Sequence, residues 1–338
     1  MTKEQINSLV LKGEFPEITH ERELIETHIS WVIVCDQFVY KIKKPVHFSF
    51  LDFSTPELRK HFCEREVELN RRLTDNIYIN VQPIYVWQDK LIIGGKKGAI
   101  IDYAVRMYKQ DRDKQMDRLL LENKVTHSDI KNLAEKIALF HQRTEIIFKK
   151  NFLDIQEKFN DLEAEKEFLA EQPDSNCHSI ISHAIDLSDL FIARNKGLLA
   201  GRLNAGFFRD CHGDLHSRNI FLLPSPQPFD CIEFNDDIRQ IDVLNEVAFL
   251  CMDLDAFERK DLSELFIKYY NQFFPTITTV EEGQLFVYYK SYRANIRAKV
   301  NSLRARSAVN NTDKEKALAA TKKYLRLMED YLQTLNRS

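Results

Sequence analysis

The stretch Cys211–Phe221, CHGDLHSRNIF, gathers the polar side chains with the clearest chemical use in this sequence. It holds two histidines, an aspartate and an asparagine within eight residues, and it continues into the apolar run Ile-Phe-Leu-Leu. Asp214 and Asn219 are five residues apart, and His212 and His216 lie on either side of Asp214. Polar residues this dense beside an expected strand indicate a site.

Three interpretations of this stretch compete. A metal hydrolase could use an H-x-D-x-H arrangement, but such sites gather further ligands from distant strands, and no histidine follows His216. A structural loop could use Asp214 and Asn219 only to turn the backbone. In phosphoryl transfer, an aspartate orients the attacking hydroxyl and a side-chain amide oxygen holds Mg²⁺ on the nucleotide phosphates. We favour the third interpretation because the spacing from Asp214 to Asn219 is that of the kinase loop H-R-D-x-x-x-x-N.

The sequence resembles the aminoglycoside phosphotransferase and choline kinase-like kinases, small-molecule relatives of the protein kinases, in its H-G-D-x-H-x-x-N-I motif. It is more similar still to a bacterial group known only as aminoglycoside phosphotransferase-like, whose hallmarks are YKIKKPVHFSFLDFST, EREVELNRRL, HGDLHSRNIF and DCIEFND. The resemblance covers most of residues 25–260. Many members of that group continue into a P-loop kinase domain, and no G-x-x-x-x-G-K-[ST] motif occurs here.

The expected elements change character near residue 109. Before it, a threonine and a proline at Thr55-Pro56 open a helix that should run to about Leu73. β-rich runs surround this helix, at 31–34, 38–42, 81–87, 90–93 and 99–107. The later part is mostly helical, with an acidic helix over Phe152–Ala170. We therefore expect an α+β, bilobal protein kinase-like fold: a β-rich nucleotide-binding N-lobe with one main helix at 1–108, and a helical lobe with the catalytic loop and acceptor site at 109–338.

The resemblance implies nucleotide contacts in the first lobe. Lys41, in FVYKIKK, matches the phosphate-binding lysine of V-A-I-K. Glu66 lies near the inward stripe of the helix and would pair with it. We expect Lys43 and Lys44 to form a solvated basic strand end. The strand IDYAVRMY falls where an adenine-binding linker is implied, so backbone groups of Tyr103–Met107 would meet the base. A plain buried strand is equally consistent with these residues.

A second metal ligand is implied in the hairpin that follows the catalytic loop. Asp230, in Phe-Asp-Cys, lies 11 residues after Asn219, and Glu233, in Ile-Glu-Phe-Asn-Asp, lies 14 residues after it. A strand is expected over Phe229–Phe234, and on a regular strand positions 230 and 233 point to opposite faces. Only one carboxylate should then face the metal, and the sequence leaves Asp230 and Glu233 both open as Mg²⁺ ligands beside Asn219.

These residues together predict an enzyme that moves the γ-phosphoryl group of ATP, with GTP as the alternative, to a hydroxyl of a small molecule. Asp214 would be the base, and His216 would support Asp214 or contact the acceptor. No activation loop ending in A-P-E follows the second carboxylate, which disfavours an atypical protein kinase. The other rival is a nucleotide-binding regulator without catalysis.

A basic helix near the C-terminus suggests the charge of the acceptor. Residues 290–326 hold eleven lysines or arginines and two acidic residues. Arg293 and Arg297 are four residues apart and share a helix face. They would bind an anionic acceptor, or else form a solvated face paired with the acidic helix at 154–171.

Composition excludes several other classes. The 338 residues carry a net charge of −3, and 44% are hydrophobic, so neither a nucleic acid nor a membrane is an expected partner. The N-terminus has no apolar secretory segment, and no apolar run approaches ~20 residues. None of the six cysteines forms a C-x-x-C pair. Reduced thiols and a cytoplasmic location are therefore expected, while the oligomeric state is not predicted.

Overall fold

The computed structural model describes residues 1–95, 97–172 and 176–337. The chain divides into two compact units. The first consists of Met1–Leu119 with Arg218–Ile238, and the second of Leu120–Ser217 with Arg239–Ser338. The expected α+β character is confirmed, because strands dominate the first unit and helices the second. The functional division at residues 108 and 109 stays a prediction, and it did not foresee that 218–238 groups with the first unit.

Twelve strands occur in the described part of the chain: β1 Glu23–Glu26, β2 Ser30–Val34, β3 Phe38–Lys43, β4 His47–Phe48, β5 Leu51–Asp52, β6 Tyr78–Trp87, β7 Lys90–Ile93, β8 Ala99–Tyr108, β9 Phe208–Asp210, β10 Ile220–Phe221, β11 Gln227–Pro228 and β12 Gln240–Asp242. Six of them form an antiparallel sheet in the order β1-β2-β3-β8-β6-β7. The β-rich runs expected at 31–34 and 38–42 form the antiparallel pair β2 and β3, and β3 lies between β2 and β8.

Side chains of β3 alternate between the two faces of this sheet. Tyr40 and Ile42 are fully buried in an apolar cluster that also contains Ile33 and residues of the first helix. Val39 packs in a second apolar cluster on the side of the helix that follows Thr55. Lys41 shares the odd-numbered register of Val39, so it faces that helix rather than the first cluster.

Twelve α-helices occur in the described residues: α1 Lys3–Lys12, α2 Pro56–Asn70, α3 Met116–Leu121, α4 His127–Arg143, α5 Asp154–Asn160, α6 Lys166–Ala170, α7 Cys177–Asn204, α8 Asp236–Arg239, α9 Val243–Ala256, α10 Lys260–Phe273, α11 Val280–Ser307 and α12 Asn311–Arg337. Within the described ranges, no helix combines the length and the apolarity needed to cross a bilayer.

Helix α2 begins as its sequence predicts. The hydroxyl of Thr55 accepts a hydrogen bond from the backbone N–H of Leu58, and Pro56 occupies the first turn, where its missing N–H costs nothing. The helix ends at Asn70, three residues before the expected end. Cys63, Glu66, Val67 and Asn70 are buried at helical spacing, so the face that carries Glu66 is the one that packs inward.

The acidic helix expected over Phe152–Ala170 is interrupted. Residues Asp161–Glu165 form a 3-10 turn between α5 and α6. Within that turn Glu165 is buried, and its Oε2 accepts hydrogen bonds from Ser302 Oγ at 2.6 Å and Arg306 Nη2 at 3.1 Å. The prediction of one continuous helix was wrong because these tertiary contacts are stronger than the local preference for a helix.

Helix α9 is the centre of the second unit. It is buried along nearly its whole length, as expected for a helix whose residues are apolar on all sides. Asp242 caps its start by accepting the N–H of Leu244 at 2.9 Å, and Arg202 Nε holds the same carboxylate at 2.6 Å. The start of α9 is thereby fixed next to β9 and β12, which pair antiparallel. The polar stretch that begins at Cys211 directly follows β9.

Candidate active site

A cluster of charged side chains lies between the sheet and α2 in the first unit. Lys41 Nζ is 2.8 Å from Glu66 Oε1 and 2.5 Å from Asp230 Oδ1. Lys43 Nζ is 2.7 Å from Glu66 Oε2 and also donates to Glu233 Oε1. Glu66 therefore bridges two lysines, and each lysine reaches a further carboxylate from the segment that follows β11.

The solvent exposure of this cluster increases from the Lys43–Glu233 pair to the Lys41–Asp230 pair. The Lys43 side chain is 1% exposed and its partner Glu233 is 4% exposed, whereas Asp230 is 44% exposed. Lys41 lies between them at 14%. The Lys41–Asp230 end is thus the part of the cluster that solvent or a ligand can reach.

Lys43 corrects one expectation from the sequence. It was expected to be part of a solvated strand end, but it is buried and paired with two carboxylates. The reason is the two-residue period of β3, which points Lys43 to the same face as Lys41. Lys44 points the other way and pairs with the part-exposed Glu26 at 2.7 Å.

Electrostatic interactions keep the Lys41–Glu66 pair ionised. Burial alone would raise the pKa of Glu66, but the ammonium groups of Lys41 and Lys43 lower it to about 2. Burial would in turn lower the pKa of Lys41, yet Asp230 and Glu66 hold it well above its usual value. Both members of the Lys41–Glu66 pair are therefore charged at neutral pH.

The backbone that follows β11 determines where the two candidate metal ligands, Asp230 and Glu233, lie. The strand predicted over Phe229–Phe234 was wrong, because the ladder ends at Pro228, which pairs with Ile220. Asp230 has φ of +63°, a left-handed conformation that is uncommon for a residue with a side chain. Its N–H donates to the Tyr78 hydroxyl at 3.1 Å. The opposite-face argument therefore does not apply, and burial distinguishes the two carboxylates instead.

Asn219 lies at the same end of this short ladder as Asp230. It immediately precedes Ile220, and its carbonyl accepts the N–H of Phe229 at 2.9 Å. Between Asn219 and Asp230, Ile220 pairs with Pro228 and Phe221 pairs with Gln227. Asn219 is 7% exposed. The hairpin brings an amide and a carboxylate from distant sequence positions to one end of the ladder.

The strand expected to recognise adenine is paired on both of its edges over residues 104–107. Ala104 to Met107 pair with both β3 and β6, and Tyr103 pairs with β6. The backbone of residues 104–107 is therefore taken up within the sheet, and recognition of a base by backbone groups of Tyr103–Met107 stays a prediction. Met107 is buried and Tyr103 is partly buried in the apolar cluster that also holds Phe221. Side-chain contact with a base remains a prediction for both residues.

The second unit holds the loop with Asp214. Glu246, from α9, accepts the backbone N–H of His212 at 2.6 Å and that of Gly213 at 2.9 Å. The N–H of Asp214 donates to Nδ1 of His212 at 3.2 Å. Gly213 has φ of +89°, where a side chain would be strained. His212 and Gly213 therefore shape the loop.

Asp253, also on α9, fixes the other end of this loop. Its Oδ2 accepts the backbone N–H of Ser217 at 2.9 Å and the Ser217 hydroxyl at 2.5 Å. Glu246 and Asp253 are seven residues apart and share a helix face. No motif in the sequence pointed to either residue. Two carboxylates within the apolar run VLNEVAFLCMDL are nevertheless an available signal, because buried charges require partners.

Asp214 is the acidic residue of the loop, and its side chain is 38% exposed. Its Oδ2 lies 3.4 Å from Nε2 of His216. Burial would raise the pKa of Asp214, but His216, with a smaller effect of Arg297, holds it well below its usual range. Asp214 is therefore an anion at neutral pH, and His216 is in contact with it.

The two arginines of the basic helix also belong to the second unit. Arg293 Nε donates to Asn245 Oδ1 at 2.7 Å, and its guanidinium lies 4.9 Å from the centre of the Phe249 ring. Arg297 lies over Tyr324 at 5.4 Å. Pairing with the acidic helix was the alternative for this face, but other residues make those contacts: Lys299 pairs with Asp161 and Arg306 with Glu165.

Comparison with known sequences finds relatives that have no assigned activity. No protein-family model matches the sequence. An uncharacterized protein of Mycobacterium tuberculosis (strain ATCC 25618 / H37Rv) is 32% identical over 293 residues, which cover 82% of this chain and 54% of that protein. An uncharacterized protein of Mycobacterium bovis matches with the same identity and coverage. The chain spans about half the length of the curated relatives it matches.

Comparison with solved structures identifies the class of fold. A choline/ethanolamine kinase family protein from Mesorhizobium loti matches with a TM-score of 0.53 at 10% identity, covering 98% of this chain and 100% of the other. Choline kinase from Cryptosporidium parvum Iowa II gives 0.54 at 13% identity, with 98% and 97% covered. A thermostable mutant of aminoglycoside phosphotransferase APH(4)-Ia gives 0.50 at 12% identity, with 91% and 94% covered. The chain thus has the α+β fold of the protein kinase-like superfamily, as its motifs predicted.

Proposed function

We propose that this protein transfers the γ-phosphoryl group of ATP, with GTP as the alternative donor, to a hydroxyl group of a small molecule. The observation that carries the proposal is the cluster in which Lys41 pairs with both Glu66 and Asp230. A lysine fixed by a helix glutamate and placed next to an accessible carboxylate is the arrangement that positions nucleotide phosphates in this fold. The choline kinase and aminoglycoside phosphotransferase neighbours support the same chemistry.

Asn219 and Asp230 fit a Mg²⁺ site. Mg²⁺ prefers oxygen ligands, and an amide with a part-exposed carboxylate supplies them. When bound, Mg²⁺ would neutralise charge that develops on the phosphates. Asp230 can exchange its contact with Lys41 for the metal because its side chain is 44% exposed, whereas Glu233 is buried against Lys43. We therefore assign Asp230, and not Glu233, as the second ligand.

Asp214 would orient the acceptor hydroxyl. Because its pKa is held low, it is ionised but a weak base, so it accepts a hydrogen bond first and the proton only as the new P–O bond forms. His216 would keep Asp214 in place through its 3.4 Å contact. Glu246 and Asp253 would hold the two ends of the loop.

Two neighbouring carboxylates give a direct test of the metal assignment. We expect Asp230→Asn and Asn219→Ala to weaken Mg²⁺-dependent ATP binding by roughly 10–100-fold, since losing even an outer partner of a metal site has that effect. Glu233→Gln should leave the Mg²⁺ dependence unchanged. Isothermal titration of each variant with ATP, with Mg²⁺ and with EDTA, measures the difference. Loss of Mg²⁺ dependence in Glu233→Gln but not in Asp230→Asn would reverse the assignment.

The donor nucleotide is tested by the same titration on the unmodified protein. We expect ATP to bind in the presence of Mg²⁺, and Lys41→Met to weaken that binding because the variant loses the charge next to the phosphates. Parallel titration with GTP decides which nucleotide is preferred. If neither nucleotide binds with Mg²⁺ present, the proposed function is wrong.

A further inference from the structure

Two of the three guanidinium nitrogens of Arg293, Nε and Nη1, make hydrogen bonds within the protein. Nε donates to the backbone and side-chain oxygens of Asn245 at 3.2 and 2.7 Å, and Nη1 lies 3.5 Å from the carbonyl of Gly213. Nη2 is buried and has no hydrogen-bond partner among the described residues. A buried donor without a partner is rare in folded proteins and usually has a functional reason. The hydrogen-bonding capacity of Nη2 is therefore not used by the described residues.

Arg297 lies one helical turn further along α11 and is less deeply buried. Its Nε also has no hydrogen-bond partner in the described part of the chain, and its guanidinium lies over the ring of Tyr324. Burial would lower the pKa of Arg297, but Tyr324, Asp253 and Asp214 raise it above its usual value. Arg297 is thus a permanent cation within the electrostatic reach of Asp214.

No ion pair neutralises either arginine within the described ranges of the chain. Three other cations on α11 have one: Lys290 with Asp255, Lys299 with Asp161, and Arg306 with Glu165. Burying a charge without a counter-ion costs free energy. An anion that binds between the two guanidinium groups would remove that cost.

The aromatic ring of Phe249 connects this pair to the loop with Asp214. The ring centre is 4.9 Å from the Arg293 guanidinium and 5.3 Å from the centre of the His216 ring. His216 in turn contacts Asp214. Because all of these groups belong to the second unit, a small molecule could contact Asp214 at one end and the arginines at the other.

We propose that the acceptor carries an anionic group, a phosphate ester or a carboxylate, which binds Arg297 and Nη2 of Arg293 while its hydroxyl meets Asp214. This inference rests on the proposed function. In the transfer, the acceptor oxygen forms a bond to the γ-phosphorus, the bond from that phosphorus to the bridging oxygen of the nucleoside diphosphate breaks, and the hydroxyl proton passes to Asp214 and then to solvent. Planar guanidinium groups suit two-point binding of phosphate or carboxylate. A cationic acceptor would instead meet like charges.

Inorganic phosphate is the first probe, because it tests the anion site without a known acceptor. We expect titration calorimetry at constant ionic strength to show phosphate binding that Arg297→Ala weakens by about tenfold or more, as the loss of a charge-assisted hydrogen bond predicts. Arg297→Lys should retain part of the affinity. The matched control is Lys299→Ala, which removes the same charge from the same helix and should change the affinity less than about twofold.

The variant Lys41→Met distinguishes phosphate that binds at the two arginines from phosphate that binds at the nucleotide site. If the anion binds at the arginines, this variant keeps its phosphate affinity. Equal phosphate binding by the unmodified protein and by Arg297→Ala overturns the inference. So does binding that disappears in Lys41→Met and survives in Arg297→Ala.

Acceptor kinetics provide the second test. A panel of sugar phosphates and hydroxy acids is compared with choline, ethanolamine and aminoglycosides, and we expect transfer to an anionic compound. For that compound Arg297→Ala should raise the acceptor KM by about tenfold or more and leave the ATP KM nearly unchanged, because only uniform acceptor binding is lost. Sugar phosphates and hydroxy acids distinguish the two anion types. A cation as the best acceptor would overturn this inference and leave the proposed function intact, whereas failure to bind Mg²⁺ and ATP would overturn the proposed function itself.

Discussion

Asp214→Asn is expected to lower phosphoryl transfer by about 10²–10⁴-fold, the usual contribution of a positioned acid–base group. The replacement keeps the size of the side chain but removes the negative charge that orients the hydroxyl and receives its proton. The side chain is 38% exposed, and the loop backbone is held by Glu246 and Asp253, so the fold should not depend on the Asp214 charge. Single-turnover transfer to an identified acceptor measures the loss.

The control for Asp214→Asn is the same change at Asp113, which is 79% exposed and pairs with Arg118. Asp113→Asn should transfer at the rate of the unmodified protein. Both variants should bind ATP with unchanged affinity, because neither change touches the cluster around Lys41. Turnover by Asp214→Asn within a few-fold of the original would remove Asp214 from its assigned role.

Lys43→Met is expected to lower the free energy of unfolding by about 3–5 kcal/mol, the range found when one partner of a buried ion pair is removed. Methionine fills much of the same volume, so the loss reports charge more than packing. Glu66 keeps Lys41 as a partner, but Glu233 is left buried beside an apolar side chain. Urea unfolding measures the change. Lys44→Met is the control, and its loss should be at most ~1 kcal/mol because its partner Glu26 is part-exposed.

The deficit of Lys43→Met should depend on pH in a defined direction. Burial already raises the pKa of Glu233 above its ordinary value despite Lys43, and removing Lys43 should raise it further. A carboxyl group whose pKa is higher in the folded protein destabilises the fold as pH rises above the unfolded-state value, about 4.3. The deficit should therefore be larger near about pH 8 than near about pH 5. A deficit that is small, or that grows on acidification, would contradict the assigned burial of this pair.

Patterns of short range predicted several parts of this protein well. The match of Lys41 to the lysine of V-A-I-K and the position of Glu66 near the inward stripe of α2 were enough to suggest that these residues pair, and their atoms are 2.8 Å apart. The spacing of Asp214 and Asn219 led to the kinase-like fold that the solved structures confirm. These signals are local in sequence, so a single chain reveals them.

Contacts between distant segments were not predicted. The burial of Lys43 depends on Glu233, 190 residues later, and the position of the loop that carries Asp214 depends on carboxylates of α9. The left-handed backbone of Asp230 replaced an expected strand because Tyr78 and Asn70 take the N–H groups of Asp230 and Cys231. Each of these features is set by tertiary partners that no local propensity encodes.

The most direct test of phosphoryl transfer uses ATP labelled in its γ-phosphoryl group. The protein, Mg²⁺ and labelled ATP are incubated with fractions of a bacterial metabolite extract, in parallel with Asp214→Asn. We predict that label moves from ATP into at least one small hydroxyl-bearing compound, that EDTA abolishes the transfer, and that Asp214→Asn shows at most about a hundredth of it. The opposite result is binding of the nucleotide with no labelled product, or release of inorganic phosphate alone at a rate equal to that of Asp214→Asn. Either would show that the protein binds nucleotide without transferring its phosphoryl group.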